Sequence, residues 1–194
     1  GIVWHDQDLG YKINSVKTMS GDNIPVTINN TMMRVDLPQP LKSGEKFEFT
    51  VDWAFNIHDR MSFIGGRPGY EFFEKDGNYL YTMAEWFPRM AVYSDFEGWQ
   101  NKEFVGRGEF ALTFGDYKVK ITVPADHMVG STGVLQNPAE VLSATELQRW
   151  EQAQKSYDKP VVIRTQAEAE RLEKGKSKNK KTTTKNKMTG TLAQ

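Results

Sequence analysis

Histidine is the side chain best suited to metal binding and proton transfer near neutral pH, and this chain has three, at His5, His58 and His127. None of them lies in a His-Glu-x-x-His pattern or in another dense ligand motif. Asp126 precedes His127, but neighbouring residues of a strand point to opposite faces and would not act together. The chain has no cysteine, which excludes thiolate catalysis and Cys-bound zinc. We therefore predict no catalytic residue and no metal ligand in this chain.

One carboxylate has a position that favours ligand binding. Glu85 lies in the segment from Tyr79 to Gln100, which is dense in large aromatic side chains, three residues before Pro88. Proline lacks an N–H and has a fixed φ, so it interrupts a sheet ladder. We predict a strand from Tyr79 to Trp86 that ends at this break and presents Glu85 to a rim or cleft. The same pattern also fits a core strand followed by a corner with a solvated carboxylate.

The charge distribution separates the end of the chain from its body. Lys174–Gln194 contains seven lysines and no acidic residue, so the remaining residues carry 0 − 7 = −7 charges. Such a tail could contact nucleic acid or anionic lipid. It has no interleaved aromatic residues, however, and the body is acidic. We interpret residues 174–194 as a basic linker or tail that is disordered in isolation, and we predict no nucleic-acid partner.

Two further classes of site are not supported by the sequence. The glycine-rich segment from Gly65 to Gly69 contains Pro68 and lacks a following Lys-Ser/Thr pair, so it would be a poor phosphate cradle. No run of 18 apolar residues is present, and a membrane-spanning helix needs about 20. We predict no membrane partner. The absence of cysteine does not determine the cellular compartment.

Apolar residues alternate with polar ones in several short segments, which is typical of strands with one buried face. These segments are separated by turn residues and predict a mainly β fold, an antiparallel sandwich or a curved sheet. Residues 58–78 lack this alternation and predict a long loop with at most a short strand. The predicted strands are Tyr11–Met19, Pro25–Ile28, Thr31–Leu37, Phe47–Phe55, Glu109–Phe114 and Tyr117–Val123, with hairpin turns at Asn29-Asn30 and Gly115-Asp116.

The C-terminal part of the body has helical signals. Ser143-Ala144-Thr145-Glu146 is a capping box, and apolar residues at helical spacing follow it to Tyr157. Thr165-Gln166-Ala167-Glu168 is a second capping box, which predicts a helix to about Lys174. A brief strand is predicted at Pro160–Arg164. The predicted organisation is a β domain over 1–173, with a helical insertion at about 143–174, followed by the tail.

The segment around Glu85 resembles the N-terminal-domain signature of the aminopeptidase N-like zinc metallopeptidases, in the form found in Bacteroidetes-like members. In those members the segment reads Gln-Trp-Tyr/Phe-Pro-Arg-x-Ala-Val-Tyr-Asp-Asp. Three further segments, 106–110, 115–127 and 133–138, are similar to the same family, as is Leu41–Glu45 before a long strand. The resemblance covers about residues 35 to 165 and rests mainly on Met83-Ala84-Glu85-Trp86-Phe87-Pro88-Arg89-Met90-Ala91-Val92-Tyr93-Ser94-Asp95.

This resemblance implies a fold and a role. In the family the domain is a saddle-shaped antiparallel β-sandwich that packs against a thermolysin-like catalytic domain, and that second domain holds the zinc. The sandwich contributes a loop whose acidic or amide residue contacts the free amino group of the peptide substrate. Glu85 lies at that position, and Met83 lies where family members often have Gln. The implied substrate-binding residues are Met83, Ala84 and Glu85, and the implied partners are the catalytic domain and the peptide substrate.

The resemblance also implies that the chain is a catalytically incomplete fragment, without the first strands of the sandwich and without the catalytic domain. An exported bacterial parent enzyme is compatible with it, although the compartment stays open. The alternative is a stand-alone β-sandwich module that binds carbohydrate or protein. Such a module should expose an aromatic platform and stay folded as a free monomer, whereas a peptidase fragment should expose an apolar docking face and have poor stability.

Overall fold

The computed structural model describes residues 10–62, 67–75, 77–102, 111–124, 127–176 and 185–192. The chain divides into two compact units, Gly1–Thr113 and Phe114–Gln194. This boundary falls inside the single domain that the sequence predicts over 1–173. It lies next to Gly115-Asp116, the expected hairpin turn. Among the described residues, the strand that follows this turn is paired within the second unit.

The first unit consists of short antiparallel strand pairs, and the predicted mainly β character is confirmed. The pairs are β1 with β4, β2 with β3, β5 with β6, and β7 with β8. A short 3-10 turn occupies Arg60–Ser62. The strands are β1 (Lys12–Thr18), β2 (Val26–Asn29), β3 (Met32–Val35), β4 (Phe49–Ala54), β5 (Gly69–Phe73), β6 (Asn78–Thr82), β7 (Tyr93–Ser94) and β8 (Gly98–Trp99).

The pair of β1 and β4 contains one of the two buried hydrophobic side chains among the described residues. Side-chain burial alternates along β4, as its sequence pattern predicts. Val16 of β1 is opposite Val51 of β4, and the register shifts between Ile13 and Ser15. Val16 and Ile24 are the buried hydrophobic residues among those described. With so few buried apolar side chains, the hydrophobic stabilisation of this unit is small.

Two sequence predictions in the first unit are refined by the structure. The hairpin of β2 and β3 is confirmed, but its turn lies at Asn30-Thr31, one residue later than expected. Asn30 has a φ of 49°, a left-handed conformation that asparagine tolerates better than most residues. The strand expected from Tyr79 to Trp86 ends at Thr82, the end of β6.

The second unit combines a small sheet with three helices. Its strands are β9 (Tyr117–Pro124), β10 (Val134–Leu135) and β11 (Lys185–Leu192), in the order β10-β11-β9. Its helices are α1 (Pro138–Val141), α2 (Ala144–Ala153) and α3 (Gln166–Lys176). The two predicted helices correspond to α2 and α3. The brief strand expected at Pro160–Arg164 is not formed.

Residues 185–192, within the basic segment 174–194, form the strand β11. The backbone of β11 pairs with β9 along eight residues, from Lys185 opposite Pro124 to Leu192 opposite Tyr117. The sequence predicts that 109–114 would pair with the strand that begins at Tyr117. Leu112 instead forms a bridge with Ala91, and residues 109 and 110 lie outside the described residues. The backbone groups of β9 require a partner, and β11 provides it.

The helices α2 and α3 are connected through their capping boxes. Glu146 bonds the backbone and hydroxyl of Ser143 at the start of α2, and Arg164 donates to it at 2.6 Å. Glu168 likewise accepts hydrogen bonds from the backbone N–H and the hydroxyl of Thr165 at the start of α3. Arg149 of α2 donates to the Glu168 carboxylate at 2.7 Å. Each capping carboxylate is therefore paired with an arginine from the other side of the connection.

These contacts change the titration of both carboxyl groups. The hydrogen bonds from Arg149 and then from Thr165 lower the pKa of Glu168 to about 2. Burial acts to raise the pKa of Glu146, but hydrogen bonds from Arg164 and Ser143 outweigh it, so that pKa is lowered. A carboxyl whose pKa is lower in the folded state stabilises folding above its unfolded pKa, near 4.5, and loses that contribution as the pH falls.

We expect acid to release this helical connection. As the pH falls from about 5 toward 2, the backbone amide signals of α2 and α3 should lose dispersion before those of β1 and β4, measured by NMR. Glu168→Gln should weaken the helices already at neutral pH and reduce this acid dependence. Glu170→Gln is the matched control, because Glu170 lies on the same helix and bonds only the side chain of Gln166 in the contacts shown. Equal effects of the two substitutions would contradict the conclusion that Glu168 holds the connection between α2 and α3.

Candidate functional site

The backbone at Glu85 has a conformation that is rare for its residue type. Its φ is 51°, and Glu85 and Asn30 are the two non-glycine residues with positive φ in the part of the chain that the structure describes. A left-handed conformation is unfavourable for a residue with a Cβ, and unlike asparagine, glutamate has no local tendency to adopt it. Such residues persist where surrounding contacts impose them, and they are common in functional sites.

Two aromatic side chains hold the backbone around Glu85. The hydroxyl of Tyr11 donates a hydrogen bond to the carbonyl of Glu85, and the indole N–H of Trp53 donates to the carbonyl of Trp86 at 3.2 Å. Tyr11 also packs edge-to-face against Phe55, with ring centroids 5.6 Å apart. Two consecutive carbonyls are thus bonded by side chains from the region of β1 and β4. These contacts account for the persistence of the left-handed conformation.

The Tyr11 hydroxyl remains a donor at neutral pH. Burial raises the pKa of its phenol, and the negative charge of Glu85 raises it further. Deprotonation would place a phenolate against a carbonyl and near a carboxylate, which is unfavourable. The hydrogen bond that holds the carbonyl of Glu85 is therefore maintained throughout the physiological pH range.

The carboxylate of Glu85 faces solvent and has one charged neighbour in the contacts shown. Nη2 of Arg67 lies 3.1 Å from Oε1 of Glu85, and both side chains are 75% exposed. An exposed pair of this kind contributes little stability, so it does not explain the strained backbone. Because the carboxylate is open on several sides, a cationic ligand can reach it without rearrangement of the fold.

The other two predicted binding residues lie in the same segment, between the end of β6 and Glu85. Met83 is exposed and Ala84 is half-buried. The structure brings Tyr11 and Arg67 to Glu85 and Trp53 to the neighbouring Trp86. The sequence alone does not identify any of these three as site residues. The only signal for Arg67 was its place in a glycine-rich segment, which had been considered for phosphate binding.

Arg89, which follows Pro88 in the same motif, has a structural role. Its Nη2 donates to the carbonyl of Thr113 at 3.1 Å, and its guanidinium lies 5.7 Å from the ring centroid of Phe87. The bridge between Ala91 and Leu112 connects the same two segments. The arginine thus fixes the chain after the Pro88 break against residues 112–113.

A second surface feature lies immediately before the site, on the hairpin of β5 and β6. Tyr70 is opposite Tyr81, and Phe72 is opposite Tyr79. Side chains alternate between faces along a strand, so all four rings share one face, which we call the aromatic face. The ring centroids of Phe72 and Tyr79 are 4.8 Å apart, and those of Tyr79 and Tyr81 are 6.1 Å apart with a mutual tilt of 24°.

The aromatic face is incompletely covered. Phe72, Tyr79 and Tyr81 are 49%, 52% and 42% exposed. Aromatic side chains bury large areas when they pack, and a contiguous apolar patch on a surface usually marks a binding or docking site.

Three other features that could indicate function are a metal site, a ligand cavity and a membrane-spanning helix. Among the described residues no group of three His, Asp or Glu side chains is placed to hold a metal ion. His5 and Asp126 lie outside the described residues. A cavity of about 270 Å³ is lined by Pro38–Leu41 and Glu45–Phe47 and includes none of the predicted site residues. No helix in the described part of the chain is long and apolar enough to cross a membrane.

Comparisons with protein families, with curated proteins and with solved structures found no match to this chain. The functional inference therefore rests on the residues and contacts of the chain itself.

We expect the strain at Glu85 to be measurable. Glu85→Gly should raise the free energy of unfolding by about 0.5–1 kcal/mol, because glycine adopts a positive φ without a steric cost but loses more backbone entropy on folding. Glu85→Gln keeps the Cβ and removes the charge, so it is the control for loss of the pair with Arg67. Urea denaturation provides the measurement. A glycine variant that is no more stable than the glutamine variant would show that the backbone at Glu85 is not strained.

Proposed function

We propose that this chain is the N-terminal substrate-pocket domain of a zinc aminopeptidase, and that Glu85 accepts the free amino group of the peptide substrate. The observation that supports the proposal most strongly is the exposed carboxylate of Glu85 on a left-handed backbone held by Tyr11 and Trp53. The sequence resemblance of residues 83–95 adds to it. Under this proposal the small antiparallel sheets of the chain belong to a β-sandwich.

The chemistry of the proposed role is electrostatic. The amino group of a peptide N-terminus is a cation, and a carboxylate bonds it through charge-assisted hydrogen bonds. A backbone fixed on either side of Glu85 limits the positions that the bound amino group can take. The scissile carbonyl, which belongs to the same substrate residue as the free amino group, is then placed for attack. This chain would supply catalysis by positioning, while a separate catalytic domain would bind the zinc and activate water.

The aromatic face fits a docking role in the same proposal. Three half-exposed aromatic rings on a two-stranded hairpin leave apolar area open to water, and an isolated hairpin is marginally stable. Packing against the catalytic domain would cover these rings and support the segment that follows β6, where Glu85 lies. We propose the catalytic domain as the partner of this face.

A stand-alone binding module for carbohydrate or protein is the second candidate. The observation that favours it is the same aromatic face, because Tyr79 and Tyr81 are stacked nearly parallel and could form a flat platform for a sugar ring. The two proposals differ in the residues that they require. A carbohydrate module loses binding when Tyr79 or Tyr81 is replaced and is indifferent to Glu85, whereas the aminopeptidase domain requires Glu85.

We expect Glu85→Ala to lower kcat/KM roughly 10- to 100-fold on peptides with a free amino group in the complete enzyme, because loss of a charge-assisted hydrogen bond costs about 1.5–3 kcal/mol. Peptides with a blocked N-terminus should lose much less. The measurement is a comparison of steady-state kinetics for the two kinds of substrate.

The matched control for this experiment is Asp36→Ala. Asp36 forms a surface pair with Arg34 at 2.9 Å, so it tests removal of a paired surface carboxylate at another place. It should leave kcat/KM unchanged. Equal losses on free and blocked peptides for Glu85→Ala, or no loss on either, would show that Glu85 is a solvated corner residue.

A further inference from the structure

Arg67 and Glu85 lie on separate segments of the chain. They are 18 residues apart in sequence, and their separation is set by the fold. Arg34 and Asp36, by contrast, are two residues apart on the chain. A cation and an anion on separately anchored segments form a fixed pair of opposite charges, which a ligand with the complementary pair of charges can match.

The segment that carries Arg67 is anchored close to the pair. Gly69, two residues later, is buried and has a φ of 136°, and a Cβ at this position would lie 2.9 Å from the carbonyl oxygen of His58. The N–H of Tyr70 donates to the same carbonyl at 2.8 Å. Pro68, between Arg67 and Gly69, has a fixed φ. The backbone next to Arg67 is thus restricted, as the backbone of Glu85 is by Tyr11.

The position of Arg67 affects which ammonium ligands Glu85 can bind. A ligand that carries only an ammonium group and binds Oε1 of Glu85 comes close to the guanidinium 3.1 Å from that atom, and the two positive charges repel each other. A ligand that also carries a carboxylate beside its ammonium group can direct it to the guanidinium. The repulsion is then replaced by a second charge-assisted hydrogen bond.

We propose that Arg67 and Glu85 together form a two-point site for a ligand that carries an ammonium and a carboxylate group side by side, which describes a free α-amino acid. The amino nitrogen and carboxyl carbon of such a molecule are about 2.5 Å apart. Nη2 of Arg67 and Oε1 of Glu85 are 3.1 Å apart, so adjacent charges on a ligand can meet both side chains. A peptide that begins with an acidic residue carries the same two charges farther apart. This inference rests on the proposed function, in which a free amino acid is the product, and it makes Arg67 the residue that retains the product.

The test uses the full chain and four small probes, with binding followed by NMR shifts at Glu85 and Arg67. L-Leucine carries both charges and L-leucinamide only the ammonium, while N-acetyl-L-leucine carries only the carboxylate. The α-amide of L-glutamic acid carries its carboxylate on the side chain. L-Leucine should bind about two- to five-fold more tightly than L-leucinamide, the range expected for an exposed charge pair. Arg67→Gln should remove this preference, and Arg34→Gln should preserve it.

The outcomes separate this inference from the proposed function. Tighter binding of L-leucine than of L-leucinamide that depends on Arg67 supports the two-point site. If the glutamic acid amide shows the stronger Arg67-dependent preference instead, the assignment to a free α-amino acid is overturned, and the site selects acidic N-terminal residues. Equal binding of L-leucine and L-leucinamide in the wild type and in Arg67→Gln overturns the inference but leaves the role of Glu85 intact. If L-leucine and L-leucinamide bind Glu85→Gln as tightly as they bind the wild type, the role of Glu85 is overturned and, with it, the two-point site.

Discussion

The hydrogen bond from the Tyr11 hydroxyl to the carbonyl of Glu85 connects the two parts of the structure on which the functional interpretation depends. It joins the region of β1 to the chain reversal after β6, across 74 residues of sequence. Without it, and without the neighbouring bond from Trp53 to Trp86, a left-handed glutamate would relax to an ordinary conformation and its carboxylate would change direction. The placement of Glu85 is therefore a tertiary property that Tyr11, which precedes β1, and Trp53 of β4 impose.

Local sequence signals predicted those parts of the fold that local physics determines. The capping boxes at Ser143 and Thr165 correctly gave the starts of α2 and α3, because the side chain and backbone groups involved lie within four residues. The alternation in Phe47–Phe55 correctly predicted β4. The identity of its partner β1 depends on long-range pairing, which a single strand pattern does not specify. The pairing of β9 with β11 is also long-range. In addition, the lysine-rich composition of residues 174–194 predicts disorder and not a strand.

In the candidate site, too, some features can be predicted from the local sequence and others depend on tertiary contacts. Glu85 could be selected because Pro88 and the aromatic residues around it mark a break in the chain. Its positive φ could not be predicted, since that value arises from Tyr11 and Trp53. Nor could its pairing with Arg67, which lies 18 residues away in the sequence. Under the proposed function, packing against a catalytic domain would cover the exposed aromatic face. The two buried apolar side chains among the described residues, Val16 and Ile24, contribute a small core.

The central claim is that the carboxylate of Glu85 bonds a primary ammonium group. The most direct measurement is the carboxyl ¹³C NMR shift of Glu85 during titration with L-leucinamide, with N-acetyl-L-leucinamide as the uncharged counterpart. The account predicts a saturable shift at Glu85 with the first ligand and none with the second, while the carboxyl signal of Asp36 stays unchanged. An unchanged Glu85 signal with both ligands, or the same shift with the acetylated compound, would contradict it.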